Sequence, residues 1–423
     1  MTGMVPLAQD TLDAYEAHKH VNVTQSSSRP HLTSISFAKS AFYDRHWDSI
    51  TTRARGLFIN NQTNAIVARG YNKFFNLGER PETQLDAVLD NFTLPVTAWH
   101  KYNGFLGVTG YDDSTGELLV ASKSRLEGDF ADYFRTIFET LYDEGTRERL
   151  RRALRDLGAS AIFEVIDPVN DPHIVEYGEP MLVLLDVIRR HAPENGSNPD
   201  KLDYDELKQF AAHVGGSAKN ALMTKESIAV FKDRETLEKF INGYLSPARE
   251  RRIEGIILED ANGDIVKLKT VWYSHWKRAR SHINRFVECH DKQIPFDAKV
   301  EEEHTDFMKW AMDRPVDLLR HASIIELRNA YQNGENIDHI VADQQKAAAD
   351  IARLVEERKE EERQTKLEAQ INTALTALAG QVKKGRAKPE SIQKLLDRGK
   401  DNAVIQASID AHPEIDLLRN AVL

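Results

Sequence analysis

The chain has 423 residues, 41% hydrophobic and 29% charged, with a formal net charge of −10. This is the composition of a globular protein of about two or three domains; the net charge speaks against nonspecific coating of nucleic acid but is compatible with a local basic groove. One cysteine, Cys289, excludes an intramolecular disulfide and suits a reducing compartment. The first twenty residues carry early acids and no apolar core of signal-peptide length, and no run nears the roughly 18 apolar residues that span a bilayer. A cytoplasmic or otherwise intracellular protein without membrane contact is expected.

From Leu32 to Leu126, short apolar runs broken by Gly, Asn and Asp predict strands, as in NAIVARG, PVTAWHKY, FLGVTGY and ELLVASKS. Within them, TAWHKYNGFLGVTGY sets Asn103-Gly104 between two β-prone runs. That predicts a hairpin whose turn residues tolerate φ > 0, with Lys101 just before the turn. Asp129 to Leu157 has helical spacing, strands return in ASAIFEVID and PMLVLLDVIRR, and HAPENGSNPD (His191 to Asp200) is a loop by composition. YDELKQFAAHV and DRETLEKFINGYL predict helices, the second capped by Asp233. RIEGIILEDANGDIVKLKT predicts a strand, a turn and a strand. Beyond about Ser274 the pattern is all helix, and the polar stretch between Val355 and Leu367 predicts an exposed helix or helical hairpin rather than a long coiled coil. No Gly-x-x-x-x-Gly-Lys-Ser/Thr loop is present.

Several charged residues stand in apolar settings. Glu164 shares a strand face with Ile162 and Ile166, so it is buried unless it lines a cleft, and a buried carboxylate needs partners. Lys267 and Lys269 are two apart, hence on one strand face; Glu254 opens the strand before them. Together with Lys101 they make sense as a nucleotidyl-transfer site. An amine attacking an α-phosphate must be deprotonated, and Lys267, Lys269 and a divalent metal are expected to lower the pKa of Lys101. Lysines, Arg55 and Mg²⁺ suit the negative charge that spreads over the phosphate oxygens.

In their order, KYNG, FEVIDP, MLVLLDV, EGIIL and VKLK resemble the motifs of the covalent nucleotidyltransferases, the superfamily of polynucleotide ligases and mRNA capping enzymes. There, Lys-x-Asp-Gly carries the lysine that becomes linked to AMP or GMP. Within that superfamily, RG…KFFNLGE and KLKTVWY are similar to RNA ligase 1 of the T-even phages and to the ligase domain of fungal tRNA ligase. The resemblance runs from about residue 32 to residue 280. It implies an α+β nucleotidyltransferase fold with ATP-grasp-like antiparallel sheets and helices over residues 1–280, followed by an all-α C-terminal domain over 281–423. It implies an ATP-dependent RNA ligase using Mg²⁺ (or Mn²⁺) and joining RNA 5′-phosphate and 3′-OH ends through lysyl-AMP and RNA-adenylate intermediates, in tRNA repair or splicing. Its partners would be tRNA-like or broken RNA ends, with separate end-healing kinase and phosphatase. Carried over residue by residue, Lys101 takes AMP, Gly104 lets the nucleotide approach, Glu164 binds the ribose and Glu254 serves the metal and phosphates. Lys267 and Lys269 contact the phosphates; Arg55, Lys73 and Lys123 hold the triphosphate or help close the site; Phe75, Tyr273 and Phe37 match aromatic positions. Asn103 departs from the commoner acid: its amide still accepts a hydrogen bond from the nucleotide but carries no charge to the metal. DNA ligases and capping enzymes follow the last lysine motif with a small all-β barrel, whereas helices follow Tyr273 here. A non-catalytic RNA-binding relative and a GTP-using capping-type enzyme are the competing readings.

Overall fold

Short apolar runs over the first 270 positions, broken by turns and helices, build three sheets. A computed structural model describes residues 6–190, 198, 200–217, 219–246, 251–400 and 402–422; most of the loop expected at His191 to Asp200 lies outside them. The strands in chain order are β1 (Val21–Gln25), β2 (Leu32–Phe37), β3 (Leu57–Asn60), β4 (Ile66–Arg69), β5 (Phe75–Asn76), β6 (Val96–Lys101) and β7 (Phe105–Asp112). They continue with β8 (Glu117–Ser122), β9 (Ala159–Ile166), β10 (Met181–Arg189), β11 (Ser227–Phe231), β12 (Gly255–Glu259) and β13 (Ile265–Lys269). The sheet orders are β1-β2-β3-β4, β10-β9-β7-β8 and β11-β6-β12-β13-β5. Each pairing is antiparallel except that of β5 with β13. The expected α+β organisation with antiparallel sheets is the one observed.

The expected hairpin at Asn103-Gly104 is not. β6 pairs with β11 and β12, so both its edges are filled, and β7 pairs with β8 and β9. Residues 102–104 therefore carry the chain from one sheet to another, and neither Asn103 nor Gly104 has a positive φ.

All eight residues of β9 are buried. Its Phe163 packs with Phe134, Phe138, Leu150 and Leu154 of helices Asp129–Leu141 and Glu144–Leu157. The second of these starts where the Asp143 side chain accepts the Thr146 N–H and ends at Gly158, whose φ of 57° suits glycine. Helix Arg234–Leu245, capped by Asp233 as expected, lays Leu237 and Ile241 on the sheet of β6 and β12.

After β13, Thr270 caps helix Val271–Asp291, and helices Thr305–Met312, Val316–His321 and Ile324–Asn333 follow. These belong with the sheets: the compact units are residues 1–337 and 338–423. The boundary expected at 280/281 falls inside helix Val271–Asp291. The physical reason is packing, since Arg328, far beyond that point, donates to the Ile174 carbonyl at 2.8 Å beside β9 and β10. In the second unit, the stretch in which an exposed helix or a hairpin was expected is one helix, His339–Lys383. Its Ile371, Leu375 and Ala379 form a core with three short helices, Pro389–Lys400, Ala403–Asp410 and Ile415–Asn420. Among the described residues, no helix is long and apolar enough to cross a membrane.

Candidate active site

Register sets the floor of the site. Lys101 on β6 lies opposite Gly255 on β12, which lies opposite Lys269 on β13; two residues on, Trp99, Ile257 and Lys267 form a parallel row. The two-residue period puts Lys101, Lys267 and Lys269 on one face. That face looks into a cavity of about 530 Å³, closed on the other side by residues of the β7–β10 sheet such as Leu106, Ser122, Glu164 and Leu185.

The Lys101 Nζ lies 3.0 Å from Glu254 Oε2 and donates to the Tyr102 carbonyl at 3.3 Å. Burial alone would push its pKa down, but Glu254, and then Glu164, outweigh burial and hold it above the ordinary lysine value. This corrects the expectation that neighbouring cations depress it: the nearest charges are carboxylates. Glu254 itself is buried, which favours its acid form, but Lys101 and Lys269 (3.4 Å from Oε1) keep its pKa below the usual value. Glu164 is held high by burial; its carboxylate accepts the Gly104 N–H at 2.9 Å.

The remaining cations repel one another. Lys267 is pushed down to about 6, first by burial and then by Lys73, Arg55, Lys101 and Lys269. Lys73 and Lys269 are each lowered to about 8, chiefly by burial. Burial also lowers Lys123 and Arg55. Among the described residues, no carboxylate makes an ion pair with Arg55, Lys73, Lys123 or Lys267, and the buried Arg55 Nη1 has no hydrogen-bond partner. Uncompensated, partly desolvated cations on the wall of a cavity suit a polyanion. Glu254, a hard oxygen donor beside Lys101, is the residue that would hold a divalent ion, which would supply charge neutralisation at phosphates.

Asn103 is committed within the protein. Its carbonyl oxygen accepts the N–H groups of Ile174 (3.0 Å) and Val175 (3.1 Å), and its amide donates to Glu254 Oε2 at 2.8 Å and to the Tyr273 hydroxyl at 3.4 Å. The acceptor expected to serve a nucleotide is thus already used, and Asn103 holds Glu254 in place. Gly104 answers to a different constraint from the one expected: a Cβ there would stand 2.1 Å from the Val165 carbonyl oxygen. It is the close approach of β9 that demands glycine.

The cavity brings together Arg55, Lys101, Gly104, Lys123, Glu164, Glu254, Lys267 and Lys269. Lys73 stands outside, in an adjoining groove shared with Arg55, Lys123 and Lys277, its Nζ 3.9 Å from the Phe75 ring centroid. Phe75 therefore does not line the cavity; Phe74, with Arg55 5.2 Å above its ring, does. Phe37 is also outside it, against Trp47. Tyr273 sits beneath Lys269, 4.9 Å from its ring centroid, and reaches the site through Asn103. Sequence reasoning missed the deep end of the cavity. There Lys225 pairs with Asp186 at 2.8 Å and Glu259 at 3.3 Å and stacks over Trp99, while Tyr71 donates to Asp186. Trp99, two residues before Lys101, was the available signal.

A half-buried lysine paired with one carboxylate, near a second, and facing a phosphate-suited bowl between antiparallel sheets is the arrangement of a covalent nucleotidyltransferase. Residues 53–279, more than half of the chain, match the RNA ligase family, and the chain belongs to that family. It is 30% identical over 163 residues to tRNA ligase 1 of Schizosaccharomyces pombe, covering 35% of this chain and 20% of that protein. It is 29% identical over 135 residues to RNA ligase 1 of bacteriophage TS2126, covering 31% of this chain and 33% of that one. The matches thus span a third or less of these relatives' own lengths. Among solved structures, an archaeal ATP-dependent RNA ligase superposes with a TM-score of 0.45 at 15% identity, covering 81% of this chain and 75% of that chain.

Proposed function

We propose that the protein is an ATP-dependent RNA ligase that works through a lysyl-AMP intermediate on Lys101. The observation that carries this reading is an amine paired with Glu254, within the field of Glu164, at the edge of a bowl of unpaired cations. The Lys101 Nζ attacks the α-phosphorus of ATP; a P–N bond forms, the bond to pyrophosphate breaks, and the ammonium proton is released. An RNA 5′-phosphate oxygen then takes the AMP, and finally an RNA 3′-OH attacks that 5′-phosphorus and releases AMP. Arg55, Lys73 and Lys123 hold the triphosphate, Lys267 and Lys269 neutralise the α-phosphate, and Glu164 binds the ribose. Of the two aromatic residues beside Lys73, Phe74 walls the base pocket. Glu254 holds Mg²⁺ or Mn²⁺, which supplies charge neutralisation at the phosphates. RNA ends run along the groove of Lys73 and Lys277 and the basic helix face from Lys277 to Arg285, with help from residues 338–423. Ends lacking a 5′-phosphate or 3′-OH require separate kinase and phosphatase.

Incubation with α-labelled ATP or GTP and Mg²⁺, followed by denaturation, tests the first step. A label from ATP alone, absent in Lys101→Ala, and joining of a 5′-phosphorylated RNA are the expected results. Label from GTP would assign the capping-type activity. No label from either, in folded and unadenylylated protein, would overturn the proposal in favour of an RNA-binding relative.

A further inference from the structure

Two histidine–carboxylate clusters lie outside the site described. In the first, His18, His46 and Asp48 approach one another, but every donor has its acceptor. His18 Nδ1 accepts the His20 N–H at 3.2 Å, so Nε2 keeps its hydrogen and donates to Asp48 Oδ2 at 3.1 Å. Asp48 Oδ1 takes the N–H groups of Ile50 and Thr51. That cluster is satisfied by hydrogen bonds alone.

The second differs. His304 is fully buried, and its Nε2 stands 3.0 Å from the backbone carbonyl of His275. A carbonyl only accepts, so the ring hydrogen sits on Nε2 and a neutral ring presents the Nδ1 lone pair. That Nδ1 has no hydrogen-bond partner. It faces Glu301 Oε2 at 3.5 Å and Glu303 Oε1 at 3.8 Å. Glu301 Oε2 is in turn 2.8 Å from His282 Nε2. A buried ring nitrogen set among carboxylate oxygens without a hydrogen bond is left unsatisfied unless a proton or a metal ion lies between them.

We propose that His282, Glu301 and His304 bind a Zn²⁺ ion through Nε2, a carboxylate oxygen and Nδ1. The three ligand atoms lie within 4.8 Å of one another. Tetrahedral coordination with bonds of ~2.0 Å puts ligand atoms roughly 3.3 Å apart, between the 2.8 Å and 3.5 Å that separate Glu301 Oε2 from His282 Nε2 and His304 Nδ1. Two imidazoles and one carboxylate suit Zn²⁺ over the oxygen-loving Mg²⁺ of phosphate chemistry. The carbonyl behind His304 fixes the tautomer as such partners of zinc-bound histidines do. Glu303 is engaged by Arg278 at 3.0 Å, so water completes the set. The ion ties helix Val271–Asp291, whose first turn carries Tyr273, to the turn before helix Thr305–Met312. It reinforces the packing of Trp276 on Phe307, whose ring centroids are 5.3 Å apart. The site is structural, and it does not depend on the ligase reading.

The test is zinc content and zinc titration of the full chain above pH 7, read by elemental analysis and by thermal melts with and without EDTA. Wild type and His46→Ala are expected to hold one equivalent of Zn²⁺ and to lose melting temperature with EDTA. His282→Gln, at a half-buried position, and Glu301→Gln, at an exposed one, are expected to bind Zn²⁺ at least about 100-fold more weakly, beyond the 10–100-fold cost of losing an outer hydrogen-bond partner, and to ignore EDTA. Less than one equivalent in wild type after titration would overturn the proposal. So would full retention in both variants, or equal loss in His46→Ala.

Discussion

Lys101 keeps its proton in the resting site because Glu254 and Glu164 outweigh its burial. A base with a raised pKa gains its reactive neutral form only as pH climbs, so single-turnover adenylylation should accelerate with pH through neutrality. Glu254→Gln removes the nearer charge, which should shift that rise to lower pH while slowing the plateau about 10²–10³-fold through loss of one electrostatic group. Rapid-quench labelling across pH checks both. At Asn103, Asn103→Asp would set a second carboxylate against Glu254 Oε2, now 2.8 Å from the amide donor. A loss of about 1–3 kcal/mol is expected, with Mg²⁺ raising the melting temperature more in the variant than in wild type. Lys267 shows the opposite shift from Lys101. Its folded pKa of about 6 lies below the ordinary lysine value of 10.5, so the unfolded chain binds more protons between those values and stability rises with pH across that window. Lys267→Met should therefore stabilise the nucleotide-free protein by at least ~1 kcal/mol, or roughly 2 °C, more at pH 6 than at pH 9, while abolishing ligation.

Among the elements, two glycines fix how closely strands approach the site. A Cβ at Gly104 would meet the Val165 oxygen at 2.1 Å, and one at Gly255 the Leu268 oxygen at 1.9 Å. Either Gly→Ala change should cost about 1–3 kcal/mol or more, as overpacking does, visible as a lower denaturant midpoint. Here too lies the limit of what the chain discloses before it folds. The two-residue period placed Lys267 and Lys269 on one face, and the apolar neighbours of Glu164 marked it as buried; both are local properties. Which strand β6 pairs with is a long-range matter, and an Asn-Gly step between β-prone runs is silent on it. Phe74 and Phe75 point to opposite faces, and only the register of β5 on β13 decides which meets the cavity. The ion cluster of Asp186, Lys225 and Glu259 joins three strand neighbourhoods far apart in sequence, so no short motif announces it.

For the whole molecule, strand signals end near residue 272, yet the first compact unit runs to 337. Composition marks where sheets stop; packing marks where a unit stops. A chain ending at 337 should melt cooperatively and still accept AMP from ATP. One ending at 280 should not, because it severs helix Val271–Asp291 and uncovers Trp276. Circular dichroism and labelling of both truncations decide this.

The spread of proton affinities around the cavity has a consequence for chemical probes. Amine-selective electrophiles seek neutral lysines, and at rest that description fits Lys267 better than Lys101. Proteome-wide lysine profiling of the nucleotide-free protein should thus tag Lys267 first, and a covalent inhibitor chosen by such reactivity would anchor on the phosphate side of the cavity instead of on the nucleophile.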